Sequence, residues 1–452
     1  MESVDTLVSA RWIIPVEPAH CVLESHSIAI RDGRIVAIVP TAAARERFDA
    51  ARTIERPQHA LLPGLVNAHT HSPMTLLRGC AEDRPLMPWL REVVWPLEQR
   101  WVDPGFVRDG AQLAIAEMLR AGVTCFGDMY FWPDVIARTA AESHVRAALG
   151  LVIIDAPTNW CSTTDEYFDK GLRLHDEYRG DPLISTFLAP HSPYAVGDQT
   201  LQRIGRVADE LELNVVTHLH ESQAEVRESI ERHGVRPLAR LQRLGLATPQ
   251  LVAVHFVHAT HDDIEILAGA AASVVHCPES NLKLGNGVCP LPQLLENGIP
   301  VSIGTDGAAS NNDLDVLSEV RTAGLLAAGV SGKPGAVSST DLLRLATLEG
   351  ARALGLGDCT GSLAPGKWAD LCCIDLSAAR SRPVHDVVAT IVYACNSSQV
   401  TDTWVAGRHL FGDGTLFYID EARLDDCAES WRRRLGDEAA SGTAVASSSV
   451  QA

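Results

Sequence analysis

The run GLVNAHTH (64–71) decides the fold. It begins apolar and ends with His69 and His71, which are two positions apart, so in an extended strand both imidazoles leave the same face. Seven later runs repeat this plan of a short apolar stretch finishing in polar residues. They are VTCFGDM (123–129), VRAALGLVI (145–153), ISTFLAP (184–190), NVVTHLHE (214–221), LVAVHFV (251–257), ASVVHCP (272–278) and VSIGTDG (301–307). Between them lie amphipathic stretches such as FVRDGAQLAIAEMLRAG (106–122), whose apolar positions recur at helical spacing and which stops at Gly122. Eight strands alternating with helices predict an α/β chain with a closed (β/α)8 barrel over residues 61–360.

The flanks have a different texture. SIAIRDGRIVAIVP (27–40), KWADLCCIDL (367–376) and VTDTWVAGRHLFGDG (400–414) are short β-like segments joined by turn signals. Residues 1–60 and 361–420 are therefore expected to pair in space as the two parts of one small β-sandwich, with the barrel inserted between them. Residues 421–452 read as a C-terminal helix followed by a small, polar, mobile tail, SGTAVASSSVQA (441–452).

Composition narrows the function. Of 452 residues 46% are hydrophobic and 21% charged, which excludes a disordered or collagen-like chain. The formal net charge of −19 repels phosphate backbones, so nucleic acid is not the expected partner and a small neutral or cationic substrate is. The 11 cysteines follow no zinc-ribbon spacing, and the adjacent pair Cys372 and Cys373 lies in an apolar run that suits core packing. Reduced thiols predict a cytoplasmic location, and neither a secretory leader nor a membrane span is read.

The polar residues gather where a barrel keeps its chemistry, at the C-terminal ends of strands. His69 and His71 end the first strand, His218 the fifth and Asp306 the eighth, while His255 lies in the sixth and His276 in the seventh. Three neutral imidazoles and one carboxylate with a position open to water suit a catalytic divalent metal, first of all Zn²⁺, with Fe²⁺ or Mn²⁺ as alternatives. His69, His71, His218 and Asp306 are the expected ligands. Glu221, three residues past His218, reads either as an acid favoured at a helix start or, beside a metal site, as a proton shuttle. His255 is placed to reach the attacking water, His220 alternates away as a structural residue, and His258 belongs to the following loop.

The same residues carry a resemblance. PGLVNAHTHSPMTLLRGCAEDRPLMPWL (63–90), APHSPYAVGDQ (189–199), THLHES (217–222), HCPESNLKLGNG (276–287) and IGTDGAASNN (303–312) resemble the amidohydrolase superfamily, and in particular its 5'-methylthioadenosine/S-adenosylhomocysteine deaminases. GSLAPGKWADL (361–371) resembles the segment that returns such chains to their β-domain. The resemblance implies one metal on His69, His71, His218 and Asp306. The carbamylated lysine that bridges two metals in other members has no counterpart, since no Lys lies between Lys170 and Lys283. It also implies that Glu98, in WPLEQRW (95–101), and His191 hold a ribose and that Trp89 lines the nucleoside pocket. On the residues alone, Trp89 and Glu98 fit an ordinary helix face and His191 a loop cap. Homo-oligomers are common among such relatives.

The expected reaction is hydrolytic deamination at C6 of an adenine nucleoside: 5'-methylthioadenosine, adenosine or S-adenosylhomocysteine. Glu221, His255 and Asp306 are the catalytic groups, and Trp89, Glu98, His191, Glu221 and Asp306 touch substrate. Residues 154–171 offer Asp155, Asp165, Glu166 and Asp169 but no Arg for an amino-acid carboxylate, and Arg146 at the head of the third strand has a structural alternative. A preference for methylthioadenosine or adenosine over S-adenosylhomocysteine follows. The rival readings are a deaminase or hydrolase of guanine, an s-triazine or another aminated heterocycle, and a non-catalytic barrel. The zinc deaminases with an H-x-E and P-C-x-x-C signature are excluded because that cysteine pair is absent.

Overall fold

The structure, a computed structural model, describes the backbone of residues 1–446 and side-chain surroundings through residue 436. Its larger sheet contains eight parallel strands in sequence order: Leu65–Thr70, Val123–Asp128, Arg146–Ile153, Ile184–Pro190, Val215–Leu219, Leu251–His255, Ser273–His276 and Val301–Ile303. The first three are buried at every position, as strands covered by helices outside and side chains inside must be. The sheet closes by side-chain and loop bonds between its ends. Asn67 in the first strand donates to Thr305 Oγ1 (2.8 Å) and accepts from the Thr305 amide (3.0 Å), while the Asp306 amide donates to the His69 carbonyl (3.0 Å). Gly304 permits this approach, since a Cβ there would lie 2.9 Å from the backbone of His69.

The flanks do come together. They form one mixed, hydrogen-bonded sheet of eight strands in which Phe48–Pro63 pairs parallel with Glu2–Ile13 and antiparallel with Leu371–Asp375. Cys372 and Cys373 lie fully buried in that strand, and all 11 thiols are free. Arg146 fastens this sheet to the barrel. It donates to both carboxylate oxygens of Asp370, at 2.8 and 3.2 Å, and Asp370 also accepts from Thr360 Oγ1 and the Ala406 amide. Arg146 is therefore structural.

Two helical segments shape the barrel mouth. The chain after the first strand enters an α-helix at Leu86–Trp89, passes through a π-turn at Leu90–Val94 and resumes as α-helix at Trp95–Trp101. The final helix, Glu421–Ala446, returns to brace this region. Its buried Trp431 meets Phe106 and Trp101 edge-on, with ring centroids 5.2 and 6.2 Å away, and donates from Nε1 to Asp109. That helix takes in the first part of the tail expected to be mobile, and residues 447–452 lie outside the described residues. Among the described residues no helix is long and apolar enough to cross a membrane.

Candidate active site

Four side chains meet where the first, fifth and eighth strands end. One donor atom from each of His69, His71, His218 and Asp306 lies within 4.8 Å of the others, and all four residues are buried. Alternation along the first strand puts the His69 and His71 rings 4.9 Å apart, and His69 is equally close to His218. Two backbone carbonyls orient the outer rings: His71 Nδ1 bonds the Met129 carbonyl and His218 Nδ1 the His191 carbonyl, both at 2.6 Å. Each carbonyl accepts from Nδ1 and so leaves Nε2 facing the common centre, as metal-binding histidines require. Asp306 Oδ1 stands 3.2 Å from His71 Nε2 and 3.6 Å from His69 Nε2, and Oδ2 accepts from the hydroxyls of Ser280 and Ser310, both at 2.7 Å.

The donor set fits one divalent cation. His69 Nε2 is buried without a hydrogen-bond partner, an expensive state unless something else occupies its lone pair. Burial pushes the pKa of His69 down to about 4, despite the nearby Asp306, and that of His218 well below its usual range, so both are neutral donors. The Asp306 carboxyl, against the pull of burial, is held well below its usual range by the imidazoles of His69 and His71 beside it. Nitrogen and carboxylate donors together suit Zn²⁺ and its neighbours.

Around this centre stand two further groups. Glu221 follows the fifth strand, its backbone fixed by Glu225, whose buried carboxyl accepts from the amides of His220 (3.0 Å) and Glu221 (2.8 Å). Its own carboxyl accepts from Asn286 Nδ2 at 3.2 Å and comes within 3.9 Å of His255 Nε2. Burial first, and the charge of Asp306 second, raise its pKa to about 8, so at neutral pH it is an acid with a proton to give. His255 is bonded through Nδ1 to Asn281 Oδ1 at 2.9 Å, and burial lowers its pKa. His255 (φ 73°) and Asp306 (φ 61°) hold left-handed backbone conformations that cost non-glycine residues energy, and this turns both side chains inward.

The centre forms the floor of a cavity of about 820 Å³. Trp89, Glu98, Tyr130 and His191 line its wall. Glu98 accepts from the Tyr130 hydroxyl at 2.8 Å, and burial within the cavity raises its pKa to about 7. Trp89 is buried, and its Nε1 has no hydrogen-bond partner. His191 lies against His218, ring centroids 4.6 Å apart. Among the described residues no Lys or Arg lines the cavity. The structure thus gathers every residue singled out for the site from the sequence. His220 is excluded, as alternation suggested: it stacks on Phe256 and accepts from the Leu238 amide. His258 sits past the sixth strand in the loop, and buried His276 stands outside the four-donor set.

Sequence reasoning missed the supporting residues. Ser280, Asn281 and Asn286 occur within HCPESNLKLGNG (276–287) and Ser310 within IGTDGAASNN (303–312), runs read for their motif and not for side chains that hold the chemical groups in place. Tyr130 directly follows VTCFGDM (123–129), so the strand-end rule applied to all eight strands would have found it.

Comparison with known proteins places this geometry. The chain is 44% identical over 97% of its length, and 98% of the relative's, to a 5-methylthioadenosine/S-adenosylhomocysteine deaminase of Saccharophagus degradans. It is 37% identical to a 5'-deoxyadenosine deaminase of Methanopyrus kandleri, over 92% of this chain and 97% of that one. A solved structure described as an adenosine deaminase from Xanthomonas campestris with bound zinc superimposes with a TM-score of 0.95 at 50% identity, covering 96% of this chain and 99% of the other. The model of the amidohydrolase family matches residues 60–410, and with these relatives it shows that the chain belongs to the amidohydrolase family.

Proposed function

We propose that this chain deaminates adenine nucleosides by hydrolysis at C6, giving the inosine-type product and ammonia. The observation that carries the reading is the pairing of two features in one cavity: the four-donor floor with Glu221 beside it, and the carboxyl of Glu98 in the wall. His69, His71, His218 and Asp306 would hold one divalent metal, for which zinc is our choice on the strength of the three imidazoles and the zinc-bound neighbour. When bound there, such an ion lowers the pKa of water from ~15.7 toward ~7 and so supplies a nucleophile at neutral pH.

The protein groups divide the proton transfers. Glu221 gives its proton to ring N1, which makes C6 electrophilic. Asp306 Oδ1 takes one proton from the attacking water as its oxygen bonds to C6, and His255 Nε2, whose ring gives its Nδ1 proton to Asn281, orients that water by accepting a hydrogen bond from its other proton. The proton held by Asp306 then passes to the exocyclic amine, the C6–N bond breaks and ammonia leaves. The remaining hydroxyl proton returns to Glu221 as the C6 carbonyl forms, so the acid is regenerated. Glu98 and His191 hold the ribose hydroxyls, and Trp89 packs against the nucleoside.

The cation-free lining supports methylthioadenosine and adenosine over S-adenosylhomocysteine, whose amino-acid carboxylate would meet Asp155 and find no Lys or Arg. Guanine and triazine substrates lack a ribose, and the wall carboxyl favours a nucleoside over both. A non-catalytic barrel would not be expected to keep the donor set, the acid and the cavity together. The free thiols support a cytoplasmic location, and we propose a homo-oligomer by analogy with such enzymes. A deamination screen tests the function. Ammonia release should be fastest with methylthioadenosine or adenosine, slower with S-adenosylhomocysteine and at background with guanine or a triazine. A guanine or triazine preference would refute the reading.

A further inference from the structure

Trp89 and Glu98 should not face the same cavity. They are nine residues apart, and at about 100° per residue an unbroken α-helix would set them on opposite sides. The π-turn at Leu90–Val94 adds one residue to a turn between them, which swings everything beyond it back by about 100° and brings Glu98 round to the cavity. A helix corrected this way still leaves the carboxyl free to rotate and the helix end free to fray.

Two residues from other strand ends act at those points. Tyr130, buried just after the second strand, donates its hydroxyl to Glu98 Oε1 at 2.8 Å, and among the described residues it is the donor this carboxyl has. Asn159, after the third strand, directs Nδ2 at the carbonyls of Gln99 (2.8 Å), Val102 (3.1 Å) and Glu98 (3.2 Å), and so ties down the last turn of the same helix. We propose that Tyr130 and Asn159 are positioning residues that clamp Glu98 at its carboxyl and its backbone, and that this clamp sets how strongly the enzyme recognises the sugar hydroxyls of its substrate. With Oε1 turned by the phenol, Oε2 is presented to the ribose in one orientation and no ordering cost falls on binding. The inference rests on the proposed nucleoside reading.

The test compares adenosine with 2',3'-dideoxyadenosine in turnover, and inosine with 2',3'-dideoxyinosine in calorimetric binding, using the metal-loaded protein. Hydrogen bonds to a charged group predict a hydroxyl preference of about 10- to 100-fold in the unaltered protein, which Glu98→Gln should largely remove. Tyr130→Phe, which keeps the ring, should cut the preference by about tenfold through KM, with kcat and the dideoxy constants moving less than about twofold. Asn159→Ala should cut it in the same sense by a smaller factor. Equal weakening of both sugars by Tyr130→Phe, or no change in either, overturns the clamp. Should Glu98→Gln itself leave the hydroxyl preference intact, the ribose assignment behind it falls as well; loss with Glu98→Gln but not with Tyr130→Phe refutes the clamp alone.

Discussion

The floor of the cavity and its wall are built on different physical principles. The floor takes His69, His71, His218, His255 and Asp306 from strand ends or just beyond, where alternation fixes which face a side chain leaves and backbone carbonyls or short hydroxyls hold it. The wall takes Glu98 from a helix whose register is corrected by a π-turn and whose carboxyl is held by a tyrosine from another strand end. The floor is thus rigid by topology and the wall by side-chain bonding. Damage to the floor should stop the chemistry, whereas damage to the wall should loosen recognition and leave the chemistry running.

The largest expected effect breaks the floor outright. His69→Ala with His71→Ala removes two of four donors, and both metal content and turnover should fall to background while the fold persists by circular dichroism. Next comes Glu221→Gln, which keeps the shape of the side chain but not its proton. General acid catalysis is worth about 10²- to 10⁴-fold, so kcat should drop within that range with metal content unchanged. Retained deamination would remove Glu221 from the mechanism.

A pH series sharpens the comparison at the wall. Burial lifts the pKa of Glu98 from its ordinary 4.5 to about 7, against the pull of the Tyr130 hydrogen bond. Its charged form therefore predominates only above about pH 7, and protonation on the way down removes the charge that strengthens its bonds to sugar hydroxyls. The ratio of kcat/KM for adenosine to that for 2',3'-dideoxyadenosine should fall as pH drops through about 7, and Glu98→Gln should flatten that dependence. Groups of the floor titrate equally for both substrates and cancel in the ratio. Among the changes to the floor, the smallest effect belongs to Asn281→Ala. Removing the partner of His255 Nδ1 leaves the ring in place but frees its tautomer, and loss of such a supporting bond costs about 10- to 100-fold in activity. A value at the low end of that range, confined to kcat, would mark His255 as a residue of the floor.

The same contrast explains what could be read from the sequence. The barrel, its eight strands and the four donors were legible because parallel strands leave a simple record, an apolar run followed by polar ends at period two. Glu98 and Trp89 were not legible as site residues on the sequence alone, where they fit an ordinary helix face; only the family resemblance pointed to them, and the π-turn that brings both to one cavity has no mark in the local sequence. Asn159 and Tyr130 act across gaps of 60 and 32 residues, and such pairings exist only once the chain has folded. The order of strands in the flanking sheet was equally hidden, since it depends on Phe48–Pro63 meeting Leu371–Asp375 across the whole barrel.

Metal content and adenosine turnover measured on one sample, before and after chelation and after adding Zn²⁺ back, test the account most directly. The prediction is one equivalent of divalent metal per chain, ammonia release that disappears with the metal, and recovery in proportion to the zinc restored. Deamination that continues at full rate in metal-free protein would contradict it.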